Sequence, residues 1–120
     1  MQKEKRIHER VSVVMSGVRF KDVDALEPSQ MLGDIKNISL GGICVGTNEE
    51  IKAGGKLNLS FVFPDGREFS DITGKVIWVK RSDESNLAGI NFLKLGLFQR
   101  IKLSNSIKRI MTYFNVRSIY

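Results

Sequence analysis

Residues 56–66, KLNLSFVFPDG, allow few folds. Leu57, Leu59, Phe61 and Phe63 alternate with Asn58, Ser60 and Val62, the period of a strand with one buried face. The PDG after them is hairpin chemistry, in which proline presets φ and glycine supplies φ > 0. A return strand is therefore expected from Glu68 through Trp78 to Lys80. Phe69 and Ile72 fall on opposite parities, so that strand needs a bulge to bury both.

The same reading extends in both directions. Val11, Val13, Val14, Val18 and Phe20 predict a first strand over 11–20, which DALEPSQ breaks. A second strand runs from Met31 to about Lys36 and ends in NISLGG, whose glycine pair signals a turn or bulge. ICVGT makes a short third. KAGG turns into the 57–63 strand, and SDESN turns into a last strand, LAGINFLKL. After Gly96 the period changes. Ile107, Ile110, Met111 and Phe114 fit i, i+3, i+4, i+7, with Leu97, Phe98, Ile101 and Leu103 extending an apolar face upstream, so a terminal helix over about 97–114 should pack on the core. Short antiparallel strands followed by one helix point to a small β-barrel with the helix on its side or across an opening. At 120 residues the chain is the size of one domain.

Catalytic chemistry finds no support in the sequence. The one histidine, His8, has no nucleophile elbow to serve, there is no P-loop or dinucleotide fingerprint, and the acids are not at metal-ligand spacing. No enzyme activity, metal or cofactor is expected. Asp22 and Asp24 read as a solvated loop pair. The single cysteine, Cys44, lies between apolar neighbours in GGICVG and reads as a buried core thiol. No run is long enough to span a membrane and no secretory leader is visible, so the expectation is a cytoplasmic protein without membrane insertion. Nineteen Lys and Arg against 13 Asp and Glu give a net charge of +6, which favours an anionic partner. Charge alone leaves nucleic acid, nucleotide, an acidic membrane and no ligand all open.

Two spacings narrow this. Arg6 and Arg10 form R-x-x-x-R immediately ahead of the first strand, and Asn37, Ser39 and Gly42 form N-x-S-x-x-G ahead of the third. The first alone is commonplace, and the second, though scarcer, fits any strand-to-turn junction; together, in this order, they resemble the PilZ domain, the bacterial receptor module for cyclic di-GMP. GINF at 89–92 is similar to the family's Gly-x-x-Phe in the last strand. The resemblance implies a mainly β fold, a six-stranded antiparallel split barrel over residues 11–120 with a C-terminal helix. It also implies a flexible arm, residues 1–10, that closes over a ligand on the barrel's outer surface.

Those residue types suit such a ligand. A guanidinium can fork onto phosphate or onto the O6 and N7 edge of guanine, and can stack on the base, so Arg6 and Arg10 are expected to carry most of the binding. Asn37 offers an amide to a guanine edge and Ser39 a hydroxyl. Gly41 and Gly42 would allow φ > 0 and close approach of the ligand. Trp78 is either barrel core or, at a strand end, a stacking plane. Lys5 adds a cation ahead of Arg6, and PilZ-like sequences with a basic residue there tend toward a paired ligand, so two cyclic di-GMP molecules per chain are expected. A downstream protein would read the change, with the chain a monomer or weak dimer. The alternatives are a PilZ-like adaptor without nucleotide affinity and a basic barrel that binds RNA or single-stranded DNA. The second would need several exposed aromatics, whereas most of the seven Phe occupy alternating core positions.

Overall fold

The computed structural model describes residues 11–12 and 17–113, and the side chains of residues 17–109. Its strands are β1 (Val11–Ser12), β2 (Gly17–Asp22), β3 (Met31–Ile38), β4 (Gly42–Thr47), β5 (Lys56–Val62), β6 (Glu68–Arg81) and β7 (Asn86–Lys94), followed by the helix α1 (Leu97–Tyr113). All pairings are antiparallel, in the order β3-β2-β5-β6-β7-β4, and a further β4–β3 pairing closes the six into a barrel. Closure leaves no edge among the six. The short β1 pairs with the far end of β3, Val11 with Ile38 and Ser12 with Asn37. The expected first strand over 11–20 is thus two pairing segments, both on β3. The pairing register differs by two between Ser12–Asn37 and Gly17–Asp34, so one continuous ladder could not serve both.

Alternation fills the interior as the sequence requires. Leu57, Leu59, Phe61 and Phe63 are buried, and Asn58 and Ser60 are not. The PDG turn forms with Gly66 at φ 90° and with the Phe63 N–H donating to the Arg67 carbonyl at 2.9 Å. The expected bulge is present. Leu59 pairs with Ile72 and Phe61 with Phe69, leaving Ser70 and Asp71 opposite Ser60 alone, and both Phe69 and Ile72 point inward, each 1% exposed. Asp71 takes φ 56° there, the left-handed region that β-branched residues resist. Asp71→Val is accordingly expected to destabilise the fold by roughly 1–2 kcal/mol, and Asp71→Asn to be nearly neutral, as denaturant melts of both would show.

The helix lies across the barrel end formed by the β5–β6 hairpin. Phe61, Phe63 and Phe69 cluster there with centroids 5.2–6.0 Å apart, and Lys102 places its ammonium 4.8 Å from the Phe69 centroid. Gln99 donates to the Ser70 carbonyl at 3.4 Å and Lys102 to that of Glu68. Leu103, Ser106 and Ile107 are buried beneath. The upstream residues depart from expectation. Leu97, Phe98 and Ile101 are exposed, because at 100° per residue they lie opposite Leu103 and Ile107 rather than continuing their stripe. Phe114 falls outside the described residues.

Candidate nucleotide-binding face

The outer face of β3, β4, β7 and β6 is shaped by which residues the core claims. Ile43 and Val45 point inward from β4, as do Ala88 and Ile90 from β7. Pleating then turns Cys44 and Gly89 outward. Register aligns them in one row: Asn37 pairs with Cys44, Cys44 with Gly89, and Gly89 with Trp78. At about 4.8 Å per strand the row spans roughly 14 Å from Asn37 to Trp78. Cys44 is half-buried in the middle of it, not in the core as GGICVG suggested.

Two bulges widen the row at its ends. On β6, Val76 pairs with Ile90 and Trp78 with Gly89, so Ile77 is extra, and both Ile77 and Trp78 are exposed, by 48% and 45%. The Trp78 indole is laid over Gly89. A Cβ on Gly89 would stand 2.2 Å from Trp78 Nε1, so glycine is what lets the ring lie flat. On β3 the register shifts between Ile35 and Asn37, and Lys36 lies across Gly46, its Cε 2.6 Å from where a Cβ would be. Trp78 thus offers a π face at one end, with an amide and a cation at the other. The floor between them carries only small side chains.

The β3–β4 turn closes one side. The Ser39 N–H donates to the Gly42 carbonyl at 2.9 Å, and the Gly41 N–H donates to Ser39 Oγ at 3.1 Å, so this hydroxyl secures the turn and keeps its proton to give. Ser39 is 9% exposed, and Asn37 is half-buried. The positive φ expected of these glycines is not found. The positive-φ glycines are Gly54 and Gly66; Gly41 and Gly42 are not among them. A Cβ at Gly42 would stand 2.3 Å from the Ile90 carbonyl oxygen, so it is the backbone of β7 that approaches Gly42 closely.

Of the sequence-predicted site residues, Asn37, Ser39, Gly41, Gly42 and Trp78 are gathered on or beside this one face. Lys5, Arg6, Arg10 and also His8 lie outside the described residues. The structure adds Lys36, Cys44 and Gly89. Inward parity at Ile43 and Val45 was a signal for Cys44, and inward parity at Ile35 was one for Lys36; the bulge that follows brings Asn37 to the same side. Among the described residues no group of His, Cys, Asp and Glu could hold a metal ion, and no helix is long and apolar enough to cross a membrane.

A closed six-stranded barrel with one helix across its end is also the architecture of several solved structures. YcgR of Escherichia coli in complex with c-di-GMP superposes with a TM-score of 0.78 at 15% identity, over 93% of this chain and 48% of that one. The MrkH–c-di-GMP complex of K. pneumonia gives 0.76 at 17% identity, over 94% and 54%. The PilZ domain of YcgR with c-di-GMP gives 0.69 at 14% identity, over 93% and 98%. The chain therefore spans about half the length of YcgR and MrkH and nearly all of the isolated domain. No curated protein matches the sequence. The family model of the PilZ domain matches residues 4–109, and the chain belongs to the PilZ domain family.

Proposed function

We propose that this chain is a non-enzymatic receptor for cyclic di-GMP, bound on the Asn37–Trp78 row beneath an arm formed by residues 1–10. One observation carries this. Val11, the residue next in sequence to Arg10, is paired with Ile38, between Asn37 and Ser39, so the described fold begins beside the second half of the sequence signature. YcgR and MrkH, with the same fold, are seen with c-di-GMP. Arg6 and Arg10 bind phosphate and guanine edges, Asn37 and Ser39 hydrogen-bond to the ligand, and Trp78 stacks on a base. Ordering the arm changes the surface shown to a downstream protein. Calorimetric titration with cyclic di-GMP, with GMP as the control, tests the reading. Saturable binding of the dinucleotide alone supports it, and no heat with either contradicts it.

Trp78→Ala should weaken binding roughly 5- to 150-fold, the range for losing one base–aromatic stack, with a smaller loss of stability because the ring, though 45% exposed, covers Gly89. Unchanged affinity would remove Trp78 from the site. The same titration counts ligands. A stacked pair brings four phosphates close to the arm, and Lys5 and Lys36 supply cations beyond the two arginines, so saturation is expected at two per chain. Lys5→Leu should move the ratio toward one. A ratio of one in the unmodified chain would refute the paired ligand.

A further inference from the structure

The net charge is unevenly placed. Residues 1–84 carry thirteen cations and thirteen acids, which cancel, while residues 85–120 carry Lys94, Arg100, Lys102, Lys108, Arg109 and Arg117 and no acid. The whole +6 therefore lies in the last strand, the helix and the C-terminal residues beyond it. Within that stretch the structure exposes an apolar face. Phe98 is 86% exposed, Leu97 70% and Ile101 51%, all on the side of α1 turned away from the barrel, and Leu93, the bulged residue of β7, leads into them at 46%. Lys94, Arg100, Lys108 and Arg109 are exposed alongside. Gln99 bonds to the Ser70 carbonyl on the barrel side of the helix, on the segment of β6 that also carries Glu68 and Asp71.

Three occupants compete for such a face. A second copy would set cations against cations, and a patch on the order of a few hundred Å² falls short of the ~800 Å² per partner of a stable dimer. A nucleic acid would use the cations but leave Leu97 and Ile101 against water or phosphate. An anionic lipid surface uses both: apolar side chains pass between headgroups while Lys and Arg stay at the phosphates. We propose that the outward face of α1, Leu97, Phe98 and Ile101 with the surrounding cations, adsorbs the domain onto anionic membrane without spanning it.

Co-sedimentation with vesicles tests this, without nucleotide, so that failure leaves the ligand reading untouched. The protein should bind vesicles of phosphatidylglycerol and phosphatidylcholine in equal parts, not phosphatidylcholine alone, and binding should weaken as salt is added. Leu97→Ser with Phe98→Ser should reduce partitioning at least about tenfold, and Lys94→Glu with Arg100→Glu should abolish the anionic preference, both with unchanged melting. No binding to anionic vesicles overturns the proposal, as does equal binding by the serine variant. A dimer in sedimentation equilibrium that the serine variant dissolves, without vesicle binding, assigns the face to a second copy. Retention of a single-stranded oligonucleotide in place of vesicles assigns it to nucleic acid.

Discussion

Replacing both Arg6 and Arg10 by alanine is expected to weaken cyclic di-GMP binding by roughly a hundredfold to ten-thousandfold, since each guanidinium removes charge-assisted contacts worth about 1.5–3 kcal/mol. Lysine at either position should restore only part of the loss, because an ammonium keeps the charge but neither forks nor stacks. Stability should not follow affinity. Residues 1–10 contain Met1 and Ile7 as their only apolar side chains, so the substitutions subtract little burial. Calorimetry and thermal melts of the same preparations check both halves. Retained affinity in the double variant would exclude the arm from the site.

Gly42→Ala is expected to be the most damaging single methyl in the described chain. The new Cβ would meet Ile90 O at 2.3 Å and the Ile90 carbonyl carbon and Asn91 Cα at 3.2 Å, all backbone of the paired strand, so no rotamer change relieves it. β4 and β7 must part at the Gly42–Asn91 pair, beside the turn that Ser39 secures. Such overpacking costs roughly 1–3 kcal/mol or more. For a domain of this size that lowers the melting temperature by roughly 4–12 °C. Gly17→Ala is the control: its Cβ would meet nothing closer than the Gly33 carbonyl oxygen at 3.9 Å, and it should melt as the parent does. Equal melting of the two variants would show that the close approach at Gly42 is not what requires glycine.

The arm and Gly42 differ in how far the sequence reached. The N-x-S-x-x-G pattern located Gly42 but not its reason, because a strand crossing within 2.3 Å of a Cβ position belongs to tertiary structure. The hairpin at PDG and the bulge after Phe69 were legible, since turn chemistry and parity are local. The bulge at Ile77 was not. Val76 and Val79 both face inward across it, yet an apolar Ile and Trp in the intervening positions disguise the break in period. In α1 the sequence holds two apolar stripes on opposite sides, and only the helix's lie across the Phe61–Phe63–Phe69 end of the barrel decides which is buried. Cys44 was misplaced for a related reason. Its immediate neighbours are apolar, but alternation with Ile43 and Val45 counts for more than neighbourhood in a strand.

The row as a binding face is tested most directly by mapping amide and indole resonances while cyclic di-GMP is added. The large shifts are expected on Ser12, Asn37 through Gly42, Cys44, Gly89 and the Trp78 indole N–H, with Leu97–Ile101 of α1 little changed. Shifts concentrated on another face, with the Asn37–Trp78 row silent at saturation, would contradict it.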